Sequence, residues 1–267
     1  MKVFLLTSFL LSPIAWSKCV LPSDETIKIG CSYECGLANK LRLKIASSIT
    51  GHKIEMIDMR TDMSLIDKVD AFLIPGGADI HPRIYEEKVD QYAQNRIKDY
   101  SSHYRSSKEG EARDIFESQL LKNYDEDEKF SRTPLLGICR GMQMMGVAQG
   151  LPLYQDIEAE LKIPNREYLL DKVIIPKGPT EMSSIFSSGE FWAAKKHHQS
   201  INISYYFSKH EEFPNVRLTA FSHNKKIVEA LEYKHRPALG VQFHPEYSLP
   251  SNIFEWFLNK ACEKKLN

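Results

Sequence analysis

The chain carries no surplus of charge: 35 lysines and arginines stand against 35 aspartates and glutamates in 267 residues. Such a balance offers nothing to a polyanion, so neither nucleic acid nor an anionic membrane surface is an expected partner. Cysteine is scarce, five in all, and no pair of them stands with histidines at the spacing of a zinc site; no motif asks for a metal or an organic cofactor. Internal repeats and low-complexity tracts are missing, which sets solenoids and compositionally biased tails aside. Long apolar runs are missing too, apart from Val3–Ile14, which is too short to span a bilayer.

That one run sits inside Met1–Ser17, which reads as an export signal: Lys2 is a minimal basic start, and small residues flank Trp16 at the expected cleavage point. A buried N-terminal strand is the competing reading. The remaining chain, 18–267, suits a single domain, exported to the periplasm or the medium. Cys19 raises the question of a lipid anchor, but Lys18 is not the small residue that such a site requires. An odd number of cysteines in an exported chain leaves at least one thiol free. Cys139 is the natural candidate, and Cys31 and Cys35 are close enough in sequence to pair.

Strand-like runs at Thr26–Cys31, Lys53–Ile57 and Ala71–Ile74 alternate with helical patterns at Leu37–Ile49 and Glu109–Asn123. The first helix shows Leu37, Leu41, Ile45 and Ile49 on one face and is closed by Gly51; the second shows Ile115, Phe116 and Leu120. This alternation predicts an α/β fold, a mostly parallel central sheet flanked by helices. After Gly150 the texture changes to short strands at Lys172–Pro176, Trp192–Ala194, Val216–Ser222, Ile227–Tyr233 and Ala238–Phe243, a small antiparallel β addition in the C-terminal half, and Asn252–Cys262 reads as a closing helix. Asp125–Lys129 reads as a solvated loop. Ile80–Lys108 is long, polar and rich in tyrosine (Tyr85, Tyr92, Tyr100, Tyr104, with His103). It reads as a lid or specificity loop, with tyrosines that simply pack it down as the alternative.

The chain is organised around Thr133–Gly150. Leu135, Leu136 and Ile138 form a buried strand, Gly137-Ile138-Cys139-Arg140-Gly141 a sharp turn, and Met142, Met145, Val147 and Ala148 the apolar face of a helix. A cysteine at the apex of strand, turn and helix has the logic of a nucleophile elbow. Glycines beside it let strand and helix approach closely. The helix N-terminus favours an anion there, and the thiolate is the reactive form of cysteine. The backbone N–H of Arg140 points to where an oxyanion would develop. A buried structural cysteine is the bland alternative.

A cysteine nucleophile needs a base, and the base needs an orienting partner. His244 and Glu246 stand at i and i+2 just past the apolar run Ala238–Phe243, where an extended backbone puts both side chains on one side. Glu246 can then hold one imidazole nitrogen while the other faces Cys139.

With these residues in place, Gly137-Ile138-Cys139-Arg140-Gly141-Met142-Gln143, Gly240-Val241-Gln242-Phe243-His244-Pro245-Glu246 and Pro75-Gly76-Gly77 resemble the blocks of class I glutamine amidotransferase-like proteins, which have a flavodoxin-like fold. Ala78-Asp79-Ile80-His81-Pro82, Arg140 and His197-His198-Gln199-Ser200-Ile201 resemble the free-standing gamma-glutamyl hydrolase branch, including gamma-glutamyl-gamma-aminobutyrate hydrolases. Glu86 and Gly150-Leu151 depart from the branch pattern, which leaves the specific substrate open. The resemblance implies a cysteine-dependent hydrolase of gamma-glutamyl amides that works through a glutamyl thioester. Cys139 would be nucleophile, His244 base and then acid, and Glu246 its orienting partner. The N–H groups of Gly77 and Arg140 would form the oxyanion hole, and Gln143, His198 and Gln199 would hold the glutamyl end. The expected partner is a small gamma-glutamyl substrate, with a homodimer left open. A glutaminase-type amidotransferase subunit and a non-catalytic binding protein on the same fold are the competing readings.

Overall fold

The computed structural model describes residues 19–86, 108–164, 170–186, 189–247 and 252–267. Met1–Ser17, with its pattern of an export signal, and most of the tyrosine-rich stretch 80–108 lie outside the described residues. Within that stretch Tyr85 is described: it is fully buried, and its hydroxyl accepts a hydrogen bond from Gln155 at 3.2 Å.

The apolar runs become strands because each is short and bounded by turn residues, and the central ones are buried on both faces. β1 (Thr26–Cys31), β3 (Ala71–Ile74), β4 (Leu135–Ile138) and β11 (Ala238–Val241) lie side by side and parallel, with β2 (Lys53–Asp58) at the edge beyond β1. β3, β4 and β11 are buried at every residue, as continuous apolar strands covered on both faces should be. The same sheet continues antiparallel through β10 (Ile227–Tyr233), β9 (Val216–Ser222), β6 (Leu170–Ile174) and β7 (Glu190–Ala194). The expected antiparallel addition is therefore one edge of a single nine-stranded sheet. β9 and β10 are joined across Asn224-Lys225-Lys226, and His223, Asn224 and Lys225 take the positive φ that tight hairpins need. A second, two-stranded sheet pairs β5 (Leu153–Tyr154) with β8 (Ser200–Ile201).

One face of the sheet is covered by α2 (Lys108–Glu126) and α3 (Arg140–Ala148), which bury Phe116, Leu120, Met142 and Met145. The other face is covered by α1 (Leu37–Thr50) and α7 (Asn252–Leu266), which bury Leu43, Ala46, Phe254 and Trp256. Three short helices, α4 (Ile157–Leu161), α5 (Glu181–Phe186) and α6 (Ile203–Ser208), lie between the later strands. Gly51 closes α1 in the left-handed conformation, as its position predicts. The helix presents the other face, however: Asn39, Leu43 and Ala46 are buried, while Leu37, Leu41, Ile45 and Ile49 are exposed. α1 packs against α7, and the small Ala46 with Leu43 admits the aromatic residues of that helix, so packing and not periodicity decides the face. Ile115 on α2 is likewise exposed, beside buried Phe116 and Leu120. Among the described residues, no helix is long and apolar enough to cross a membrane.

Two disulfides add to the core. Cys31–Cys35 tightens the β1–α1 turn, and Cys19–Cys262 ties the start of the described chain to α7; Cys139 is a free, buried cysteine.

Candidate active site

Register alone brings the candidate residues together. Ile138 at the end of β4 faces Val241 at the end of β11, and Ile74 at the end of β3 faces Gly137. Three loops therefore leave neighbouring parallel strands at the same end: Pro75-Gly76-Gly77, Cys139 and the His244 segment. The crevice outside the carboxyl ends of parallel strands is where ligands bind in open α/β sheets.

Cys139 holds φ 53° and ψ −106°, a conformation that a non-glycine residue keeps only where its surroundings enforce it. Its N–H donates to Val241 O at 2.7 Å, and its carbonyl accepts from Gln143 N at 3.1 Å, opening α3. The elbow tolerates no side chain at Gly141, where a Cβ would stand 2.0 Å from the Ile74 carbonyl oxygen. The Arg140 amide belongs to the first turn of α3, whose N–H groups have no acceptor within the helix. Cys139 Sγ itself lies 3.9 Å from the Lys196 carbonyl oxygen.

His244 and Glu246 meet as their spacing predicts, Nδ1 of the ring donating to Glu246 Oε1 at 2.6 Å, but across the 3-10 turn Pro245–Tyr247 and not along an extended segment. The ring and the Cys139 side chain flank the same point of the Gly76 backbone. The His244 amide is anchored to Ala194 O at 3.0 Å, and the Glu246 carbonyl accepts from Arg42 Nε of α1 at 3.0 Å. Burial by itself would lower the His244 pKa; the hydrogen bonds and charges of Cys139 and Glu246 override it and raise it to about 10. His197, a further histidine near the site, cannot share this work. Burial, together with the Lys195 charge, lowers its pKa to about 3, and its Nδ1 is held 2.9 Å from Gln199 O.

The glycine loop completes the centre. A Cβ at Gly76 would lie 3.2 Å from His244 Cε1 and 3.6 Å from Cys139 Cβ, so the backbone there passes directly over nucleophile and imidazole. The loop is held from below by Arg113, which donates to the Pro75 and Gly76 carbonyls at 2.6 and 3.2 Å. Arg113 in turn meets Glu117 at 2.7 Å. Glu117 also takes the Arg140 guanidinium and, at 2.5 Å, the Ser32 hydroxyl, while Arg140 reaches Asp114 as well. The side chain of Arg140 thus points away from the cleft, into a buried ion network; only its backbone faces the nucleophile. Despite burial, the Arg113 and Arg140 charges hold the Glu117 carboxyl below its ordinary value. The sequence pattern of α2 gives no sign of this network: Arg113, Asp114 and Glu117 read as ordinary polar positions of a surface helix.

The residues expected to hold the glutamyl end gather on the α3 side of Cys139. His198 Nε2 lies 3.0 Å from both Asp79 carboxylate oxygens. Gln143 is buried, and its amide donates to Gln199 O and Gln242 Oε1, both at 3.2 Å, so it braces β8 against the end of β11. Gln242 and Asp79 both stand inside the motif blocks read in the sequence, but nothing there marks them as these partners. Among the described residues, buried Gln199 Oε1, Ser200 Oγ and Gln242 Nε2 have no hydrogen-bond partner. Cys31, Cys35 and Asp58 bring potential ligand atoms within 4.8 Å of one another, but both sulfurs are spent in a disulfide.

Residues 54–246 match the peptidase C26 family, with Cys139, His244 and Glu246 all inside the matched span. The chain belongs to that family. It is 26% identical over 210 residues to the protein NtpR of Enterococcus hirae, covering 75% of this chain and 79% of the relative. It is 25% identical over 217 residues to the gamma-glutamyl-gamma-aminobutyrate hydrolase PuuD of Escherichia coli K12, covering 74% of each. Among solved structures, the glutaminase domain of Trypanosoma brucei CTPS with bound acivicin superposes with a TM-score of 0.64 at 14% identity, over 89% of this chain and 94% of that one. A Thermoplasma acidophilum protein assigned as a GMP synthase subunit superposes with a TM-score of 0.57 at 19% identity, over 91% and 96%. These likenesses show the fold, that of glutamine amidotransferase domains. Peptidase C26 membership makes the chain a member of a hydrolase family of that class.

Proposed function

We propose that this member of the peptidase C26 family hydrolyses gamma-glutamyl amide bonds through a thioester on Cys139. The observation that carries the reading is the His244 ring, held by Glu246 at 2.6 Å in the cleft that Cys139 also lines. Sulfur attacks the gamma-carbonyl carbon, and the developing oxyanion takes the N–H groups of Gly77 and Arg140, each contributing on the order of 3 kcal/mol to the barrier. The thiol proton of Cys139 passes to His244 as sulfur attacks, and Glu246 favours the imidazolium that results. His244 gives its proton to the departing nitrogen, and the C–N bond breaks. Water then attacks the thioester carbon, His244 takes its proton, and the C–S bond breaks to release glutamate.

The polar side of the cleft supports a glutamyl end. His198, held on Asp79 at 3.0 Å, and the neighbouring Gln143–Gln199 contact are the polar groups that match an amino acid head. The two disulfides support export, since such bonds persist in oxidising compartments.

The test is mass spectrometry of the purified protein, acid-quenched with a panel of gamma-glutamyl amides that includes glutamine. A glutamyl adduct on Cys139 with free amine in solution is expected, and Cys139→Ala should keep the fold and lose both. A fully active Cys139→Ala protein would end this reading. The fold neighbours include a glutaminase domain and a protein assigned as a GMP synthase subunit, so an amidotransferase component is the second reading. Turnover of glutamine alone, stimulated by a co-purifying synthetase chain, would favour it.

A further inference from the structure

Cys139 divides the cleft into two unlike halves. The α3 half is polar, built from Gln143, His198 and Gln199. The α1 half is a hollow of about 320 Å³ between the Glu34–Asn39 turn, the Pro75-Gly76-Gly77 loop and Tyr247. The turn is fixed by the Cys31–Cys35 disulfide and by the Cys35 amide donating to Asp58 Oδ1 at 2.7 Å. At the mouth stand two large apolar side chains, Leu37 at 86% exposure and Tyr247 at 58%. The Tyr247 ring lies 5.5 Å from the His244 ring at an interplanar angle of 30°, so one aromatic surface runs from the imidazole to the mouth. Glu34, fixed by Arg60 at 2.8 Å, adds a carboxylate to the same lip.

Resting on the hydrolase reading above, we propose that the α1 half is the leaving-group subsite, and that it takes an amine with an apolar or aromatic body. With the glutamyl end on the α3 side, the scissile nitrogen faces His244, which must protonate it. Whatever that nitrogen carries then extends along Tyr247 towards Leu37. Exposed apolar side chains at a concave mouth gain by being covered, and covering them is specific for an apolar body. Glu34 is paired with Arg60 and Lys196 also lines the hollow, so it is the apolar mouth and not charge that selects the occupant. The first residue of the exposed α1 series, Leu37, thereby acquires a reason to face water.

The experiment compares kcat/KM of the purified protein for gamma-glutamyl benzylamide, ethylamide and gamma-aminobutyrate, three alkyl amides whose nitrogens differ mainly in what they carry. The benzylamide is expected to lead both others by about tenfold, the discrimination that an apolar pocket ordinarily provides. Leu37→Glu and Tyr247→Ala should each shrink the benzylamide-to-ethylamide ratio by about fivefold, with circular dichroism unchanged. A ratio near one, a ratio untouched by both variants, or a preference for the aminobutyrate would overturn the proposal. If no amide is cleaved and Cys139 takes no adduct, it is the hydrolase reading that falls. Saturation-transfer NMR of the free amines then decides the subsite: benzylamine binding that is weakened by Leu37→Glu keeps it, whereas no binding, or equal binding of gamma-aminobutyric acid, removes it.

Discussion

The Arg113 guanidinium occupies the space that a side chain at Gly77 would need, for a Cβ there would stand 2.4 Å from Nη1. The same guanidinium grips the Pro75 and Gly76 carbonyls, so the direction of the Gly77 amide is set by a residue from α2. Gly77→Ala must displace either Arg113 or the loop. The expected result is a fall in kcat of about 10²–10³-fold, the usual loss for one oxyanion donor, with KM little changed. Alkylation of Cys139 by iodoacetamide at the wild-type rate would show the nucleophile to be intact. Wild-type kcat in this variant would remove Gly77 from the oxyanion hole.

Glu117 is the hub beneath that loop: it is fully buried and meets Arg113, Arg140 and Ser32. Glu117→Ala leaves two buried guanidiniums without their shared carboxylate, and breaking a buried pair from one side costs about 3–5 kcal/mol. Urea unfolding should show that loss. Glu117→Gln keeps the shape but not the charge and should fall between the two. An alanine variant as stable as wild type would mean that Asp114 alone neutralises both arginines.

How far the site was legible in sequence depends on range. The elbow was legible because a cysteine between glycines at a strand end is a local demand of backbone geometry, and Gly141 against the Ile74 carbonyl bears this out. His244 and Glu246 were legible as a pair because a spacing of two keeps them close, although the backbone that joins them is the turn Pro245–Tyr247 and not the extended chain expected from that spacing. The strands Thr26–Cys31, Ala71–Ile74, Val216–Ser222 and Ile227–Tyr233 were legible to the residue, being apolar runs cut by turns. The support of the site was not. Arg113 and Glu117 are four apart on a helix whose other face packs normally, and only the tertiary fold says that this polar face turns inward. The face of α1 failed for the same reason: Leu37, Leu41, Ile45 and Ile49 have the right period, but α7 selects Leu43 and Ala46.

Cys19 and Cys262 are 243 residues apart, beyond any spacing argument, and their disulfide fastens the first described residues to α7. It lies away from the cleft, which α7 does not line. Replacing both cysteines by serine should therefore cost about 2–5 kcal/mol of stability, as loss of a native disulfide does, while kcat/KM stays within about twofold of wild type by the independence of distant sites. Denaturant titration and turnover on the same preparation check the two halves together. A large loss of activity at full stability would contradict the separation of staple and site.

Glu246 binds the ring that carries the raised proton, so its removal should be read on a pH axis. Two partners lift His244 against burial, Cys139 and Glu246, and the folded ring reaches about 10 from an ordinary value of 6.5. A raised folded-state pKa means that the fold binds the proton more tightly than the unfolded chain. The resulting stability is whole below 6.5 and drains away as the pH climbs through about 10. Glu246→Gln deletes one of the two lifting partners and leaves Cys139. Its activity should fall by about 10²-fold or more, as loss of a triad orienter does, and the alkaline limb of kcat/KM should move to lower pH. The stability gap between wild type and variant should narrow as the pH rises through the same window, because the advantage being lost is the one Glu246 supplies. An alkaline limb that stays in place would show that Cys139 alone holds the proton on His244, and would reduce Glu246 to a packing residue.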